Sequence, residues 1–133
     1  MLTNKRGFTL IEMLFVLMII CLLSSLSITI YIPHKTDAIC VQEISHFFSN
    51  AKLYAMVHKQ KIMIDINSHI ISYSINQKNY QYQLMEGTSI DNYELSFNEY
   101  GHIQGAKTLT YHGLEDDYSF VFQVGSGYFY VES

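Results

Sequence analysis

A long apolar run near the N-terminus limits the folds that are open to this chain. Residues 8–32 contain one charged side chain, Glu12. As a helix with a rise of ~1.5 Å per residue, the run is about 37 Å long, enough to cross the ~30 Å hydrocarbon core of a bilayer. Lys5 and Arg6 precede it, and basic residues favour the cytoplasmic side of a membrane. We expect one membrane span, with the N-terminus in the cytoplasm and the rest outside.

The carboxylate of Glu12 is energetically costly at this depth. An ionised side chain near the membrane centre costs roughly 2.5–3.5 kcal/mol on insertion scales. A partner of opposite charge would offset this cost, because ion pairs gain more Coulomb energy away from water. The alternative is a Glu12 side chain that snorkels to the interface.

Two processing schemes differ in whether the apolar run stays on the mature chain. A secretory signal peptidase cuts after small residues that follow the apolar core, and Ser25 and Ser27 could provide such a site, but the apolar run continues beyond them. Cleavage between Gly7 and Phe8 would instead retain the run. It would also free an α-amine four residues before Glu12, about one helical turn away. We favour the second scheme.

Charge and motifs exclude several function classes. The 133-residue chain has a formal net charge of −4, and its basic residues beyond the apolar run are dispersed, whereas nucleic acid is bound through clustered Lys and Arg. The sequence contains neither HExxH nor CxxC and no recognisable pair of nucleophile and base. We expect a protein that is not an enzyme and has no cofactor or metal. Residues 115–117 are interpreted as a solvated acidic turn rather than a Ca²⁺ site.

Helical periodicity resumes after Pro33, which disfavours a continuous helix. Apolar residues then follow a 3-4 spacing that predicts an amphipathic helix over residues 37–59, with one face against a sheet; a partner-binding helix is the alternative. The residues of this stripe are Val41, Ile44, Phe48, Ala51 and Ala55, broadened by Phe47 and Tyr54.

From Lys61 the apolar period changes to two, which indicates strands. Short strands joined by tight turns predict a mainly antiparallel sheet. The sequence thus predicts an α+β fold with a long N-terminal helix packed on a C-terminal sheet. The expected segments are a leader (1–7), a transmembrane helix (8–32), its amphipathic continuation (33–60) and a sheet domain (61–133).

The N-terminal segment resembles the class III signal of type IV pilins and pseudopilins. The stretch that carries this resemblance is KRGFTLIE, residues 5–12, followed by the apolar helix. The resemblance implies that a prepilin peptidase cleaves after Gly7 and methylates the new N-terminal Phe8. It also implies that Glu12 pairs with the N-terminal amine of a neighbouring subunit during assembly. The implied partners are other major and minor pseudopilins and, indirectly, a pilus assembly membrane protein and its ATPase.

Two C-terminal blocks resemble the D-type minor pseudopilin of competence machines, which take up DNA. They read LSFNEYGH at residues 95–102 and VGSGYFYVE at residues 124–132. The glycines of the second block predict a hairpin turn rather than a phosphate cradle, since no helix or Lys follows. The resemblance implies a membrane subunit that moves to a surface pseudopilus. Alternatives are a type II secretion pseudopilin, and a tip subunit whose tyrosines and lysines bind DNA directly.

Overall fold

The chain forms two compact units, which are described separately: the first contains helix α1, and the second extends from Lys35 to Ser133. The computed structural model describes residues 9–30 and 35–133, with side chains for residues 9–25 and 35–133. An N-terminal helical part and a C-terminal antiparallel part give an α+β fold, which confirms the predicted class. The predicted segment boundaries at residues 7, 32 and 60 stay predictions.

Helix α1, Leu10–Ile30, has apolar side chains on all sides. Its large apolar residues between Leu10 and Leu23 are all exposed, from 47% for Val16 to 82% for Leu10. No helix in the described residues has both the length and the mean hydropathy needed to cross a membrane. The predicted span also includes residues 8, 31 and 32, which lie outside the described residues.

Helix α2, Asp37–His58, begins after Thr36 and ends at Lys59, whose left-handed backbone donates an N–H to the carbonyl of Ala55. The predicted helix is therefore confirmed to within one residue. Whether it continues the first helix depends on residues 31–34, which are not described. The buried residues of α2 repeat at the predicted 3-4 spacing; they are Asp37, Cys40, Val41, Ile44, Phe48, Ala51 and Ala55.

The strands form two antiparallel sheets rather than the single sheet expected from the sequence. The first sheet has the order β3-β2-β1-β5-β6, and the second has the order β4-β7-β8-β9. The strands are β1 Ile62–Asn67, β2 Ile70–Ile75, β3 Lys78–Gln83, β4 Ser89–Ile90, β5 Tyr93–Phe97, β6 Ile103–Gln104, β7 Thr108–His112, β8 Asp117–Phe122 and β9 Phe129–Glu132.

Alternating burial explains why β1 and β2 could be predicted. In β1, every second residue from Ile62 is buried, and the residues between are exposed. The antiparallel register places Ile64 opposite Tyr73 of β2 and opposite Leu95 of β5. The two-residue strands β4 and β6 are too short to show an alternation in the sequence.

The core lies where α2 covers both sheets. Phe48 packs edge-on against Phe120, Phe122 and Phe129 of the second sheet, with ring centroids 5.4–5.9 Å apart. Phe47 lies beside Tyr73 of the first sheet, with centroids 4.8 Å apart. Such aromatic pairs add roughly 0.5–1.5 kcal/mol beyond the area they bury. One helix thus stabilises both sheets.

The turn between β8 and β9 is a hairpin, as predicted. It is closed by the N–H of Gln123, which donates to the carbonyl of Tyr128 over 2.8 Å. Gly125 and Gly127 both have a positive φ, +80° and +66°. Their surroundings differ: a Cβ on Gly127 would lie 2.0 Å from the carbonyl oxygen of Gly101, whereas a Cβ on Gly125 would meet nothing within 4 Å.

We expect Gly127→Ala to destabilise the fold far more than Gly125→Ala. Both variants strain a left-handed backbone, at a cost of about 1–3 kcal/mol. Gly127→Ala must also push the Gly101 backbone away, which adds about 1–3 kcal/mol of overpacking. The free energy of unfolding from urea titration checks this, and equal losses in the two variants would contradict the close approach.

Candidate functional site

Glu12 lies in the first turn of α1 and closes a reciprocal capping arrangement with Thr9. The backbone N–H and the hydroxyl of Thr9 donate to Oε2 of Glu12 over 3.1 and 3.2 Å. The N–H of Glu12 donates to the Thr9 hydroxyl over 3.4 Å. This is a capping box, which satisfies free N–H groups at a helix start. Its Thr-x-x-Glu spacing is the sequence signature of such a helix start.

The predicted processing residues, Gly7 and Phe8, lie outside the described residues. Their roles stay predictions. The structure does place the Glu12 carboxylate, which is exposed and held by the start of its own helix.

A second carboxylate, Asp37, joins the start of α2 to the loop between β7 and β8. Its side chain is only 7% exposed. Oδ1 accepts the N–H of Leu114 over 3.0 Å, and Oδ2 accepts the N–H of Glu115 over 2.8 Å. The Tyr111 hydroxyl is 3.4 Å from Oδ1. We call this set of contacts the Asp37 clamp. Sequence reasoning missed it, because the donors are backbone groups 77 and 78 residues away.

The clamp has no room for another side chain at Gly113. A Cβ there would lie 2.3 Å from the carbonyl oxygen of Asp116 and 2.6 Å from the carboxyl carbon of Asp37. The Gly113 N–H donates to that Asp116 carbonyl and closes the turn. Residues 115 and 116 of the acidic stretch thus lie in a turn whose backbone faces Asp37, and Asp117 begins β8.

The hydrogen bonds of the clamp favour the ionised form of Asp37. The N–H of Glu115 is the main cause that holds the pKa of Asp37 below its ordinary value of 3.8, and the N–H groups of Leu114 and Asp116 act in the same direction. Burial opposes them by raising the pKa. Because donors outweigh burial, Asp37 stays charged at neutral pH.

Lys35, Glu43 and Tyr82 form a smaller polar cluster beside α2. The Lys35 ammonium is 2.6 Å from Oε2 of Glu43, and the Tyr82 hydroxyl donates to the same oxygen over 2.8 Å. The hydrogen bond from Lys35 is the main cause that lowers the pKa of Glu43. Both charged side chains are more than one third exposed, so solvent screening limits what the pair contributes to stability.

The two C-terminal blocks singled out in the sequence meet in space. In the first, the Asn98 side chain accepts the N–H groups of Tyr100 and His102 over 3.0 and 2.9 Å, which fixes a turn. In the second, Gly127 lies directly against the Gly101 backbone of that turn. Lys52 of α2 borders this junction, with its ammonium 3.9 Å from the ring centroid of Tyr128.

No cluster of three or more His, Cys, Asp or Glu side chains within the described residues could hold a metal ion. Asp117 instead contacts Nδ1 of His112 over 3.3 Å. Cys21 is exposed and Cys40 is buried, and neither forms a disulfide.

We expect Asp37→Asn to lower the free energy of unfolding of the full-length chain by about 1–3 kcal/mol near neutral pH, since its amide cannot accept both N–H groups. The folded-state pKa of Asp37 is depressed, so its contribution is complete above the unfolded value of 3.8 and is lost as pH falls from there towards the folded value. Denaturation at several pH values should therefore show that the difference in unfolding free energy between Asp37→Asn and the parent chain becomes smaller in acid.

Glu94→Gln is a control for this experiment, because it removes an exposed carboxylate on β5. It should leave the unfolding free energy nearly unchanged. A gap between Asp37→Asn and the parent chain that persisted undiminished in acid would show that the carboxylate is not the acceptor.

Comparison with known proteins gave one match. Residues 2–28 match the prokaryotic N-terminal methylation motif. No curated protein and no solved structure matches the chain. The motif implies cleavage by a prepilin peptidase, assembly with other pilins, and a subunit anchored in the membrane before it reaches a surface pilus. The match supports a type IV pilin-like protein with a structural role.

Proposed function

We propose that this chain is a minor pseudopilin of a competence pseudopilus, required for uptake of transforming DNA across the cell wall. In this proposal it is cleaved between Gly7 and Phe8 and methylated on Phe8. Residues 8–32 anchor it in the membrane before assembly. The match of residues 2–28 to the methylation motif is the observation that carries the proposal.

Two further features support a subunit role. The apolar side chains of α1 between Leu10 and Leu23 are exposed on all sides, so this helix needs lipid or other apolar helices around it. The competence assignment rests on the resemblance of the two C-terminal blocks, which lie against each other at Gly101 and Gly127.

Glu12 is the proposed assembly residue. Its carboxylate is exposed at the start of α1 and is held by Thr9, and it forms no salt bridge among the described residues. Cleavage after Gly7 would create a positive amine directly before Thr9. A neighbouring subunit's amine could then pair with Glu12 and set the register between two helices, since an unpaired charge is costly away from water.

A type II secretion pseudopilin is the alternative. Its processing and assembly would rest on the same interactions, and only the transported molecule would differ. The neighbouring genes discriminate the two systems. A traffic ATPase, a polytopic membrane protein and several small pilin-like chains under competence regulation support the proposal, whereas a secretin gene supports secretion.

Deletion of the gene should abolish transformation and leave protein secretion intact. The measurement is transformation frequency with the profile of secreted proteins alongside, and re-expression of the full-length chain is the control. Normal transformation together with a secretion defect would contradict the proposal and support a type II secretion pseudopilin.

Glu12→Gln should lower both incorporation into surface fibres and transformation, while cleavage and the folding of the Lys35–Ser133 unit stay normal. The amide keeps the shape of the side chain but removes its charge, and the variant should insert more easily into the membrane. Glu12→Asp, shorter by one methylene, should be intermediate. The measurement is the share of the chain in sheared fibres relative to the membrane fraction.

The matched control is Glu94→Gln, the same change at the exposed position of β5, which should incorporate normally. Parent-like incorporation of Glu12→Gln would mean that the carboxylate is not an assembly contact in this subunit.

A further inference from the structure

The Lys35–Ser133 unit carries opposite charges at its two ends. The loop at residues 113–116 precedes β8, and the loop at residues 123–128 follows it, so the two loops lie at opposite ends of this strand. Three acidic side chains lie at the first end. Asp37 contacts Leu114, Asp91 contacts Thr110, and Asp117 contacts His112.

The acidic end carries one prominent apolar side chain. Leu114 is 61% exposed, and the exposed side chains of Glu115 and Asp116 follow it directly. The N–H groups of Leu114 and Glu115 are both held by the Asp37 carboxylate. Leu114 is thus a fixed apolar protrusion beside two carboxylates, neither of which is in an ion pair among the described residues.

The opposite end carries an apolar groove beside lysines. The groove has a volume of about 350 Å³ and is lined by Lys52, Leu53, Met56, Tyr128 and Phe129 among others. Leu53, at its rim, is 58% exposed.

The lysines at this end are held over aromatic rings. Lys52 lies above Tyr128 at 3.9 Å and Lys59 above Tyr100 at 5.9 Å, measured from the ammonium to the ring centroid. Neither lysine pairs with a carboxylate among the described residues; Glu99, next to Tyr100, is the acidic residue of the adjoining loop. Both charges therefore remain free to meet a partner.

We propose that the two ends bind each other between copies of this chain. Leu114 of one copy enters the groove at Leu53 and Met56 of the next, and Glu115 and Asp116 face Lys52 and Lys59. The inference extends the proposed function, because it names a contact between subunits, but its evidence lies wholly in the Lys35–Ser133 unit.

The position of the two surfaces favours contact between chains rather than within one. They lie at opposite ends of β8, so one unit cannot satisfy both surfaces by itself. A head-to-tail contact of this kind joins different patches on the two partners, here two adjacent copies. The charges give this contact a direction, because the reversed orientations would place like charges together.

Disulfide cross-linking between two full-length chains tests the contact. Leu53→Cys and Leu114→Cys are placed on separately tagged copies, both with Cys21→Ser to remove the exposed native thiol, and are co-expressed in the native membrane. Mild oxidation should give a mixed dimer. The matched control replaces Leu53→Cys with Met63→Cys, a 54% exposed position on β1. Equal yields in the two pairings would overturn the proposal.

Charge exchange provides an independent readout. Lys52→Glu on the first copy or Asp116→Lys on the second should each lower the mixed-dimer yield about tenfold, because like charges then face each other. Both changes together should restore it. Lys78→Glu, the same change at the start of the edge strand β3, should have no effect.

Other outcomes contradict the proposal in distinguishable ways. A cross-link from Leu53→Cys to a different protein would overturn the choice of a second copy, and loss of DNA retention in Lys52→Glu without a cross-link would assign the groove to nucleic acid. Sheared fibres separate this inference from the proposed function. A chain present in fibres without the cross-link contradicts only the contact, and a cross-linked chain absent from fibres contradicts only the function.

Discussion

The Asp37 carboxylate is the interaction on which the arrangement of the Lys35–Ser133 unit depends. It accepts two backbone N–H groups from the loop between β7 and β8 at the first turn of α2, and hydrogen bonds to a charged group contribute roughly 1.5–3 kcal/mol each. This contact sets where α2 begins relative to the second sheet. Phe48, three turns along the helix, then meets the aromatic side chains of β8 and β9. The same contact fixes Leu114 at the surface.

The two carboxylates at helix starts have different partners and different consequences. Glu12 is bound by Thr9, three residues away, and remains exposed. Asp37 is bound by groups far along the chain and is buried. Local capping leaves Glu12 able to meet another subunit, whereas Asp37 is committed to the fold. In the proposed function, the N-terminal segment is processed and assembled, and the Lys35–Ser133 unit presents contact surfaces.

Residue periodicity explains how much of the fold could be predicted. The buried stripe of α2 and the alternation of β1 follow directly from the order of apolar residues. Alternation shows which face a strand buries but not which strands pair, so the division into two sheets was missed. The Asp37 clamp was also missed, because backbone donors carry no sequence signal. Thr9 could have been found, since Thr-x-x-Glu before an apolar run is a capping signature.

The mass of the mature N-terminal peptide tests the central claim most directly, because processing between Gly7 and Phe8 separates a pilin-like subunit from a conventional secreted or membrane protein. The chain is isolated from membranes of cells with and without the prepilin peptidase. The account predicts a peptide that begins with N-methylated Phe8 in the first case and an uncleaved leader in the second. An uncleaved N-terminus in both, or a cut after Ser27, would contradict it.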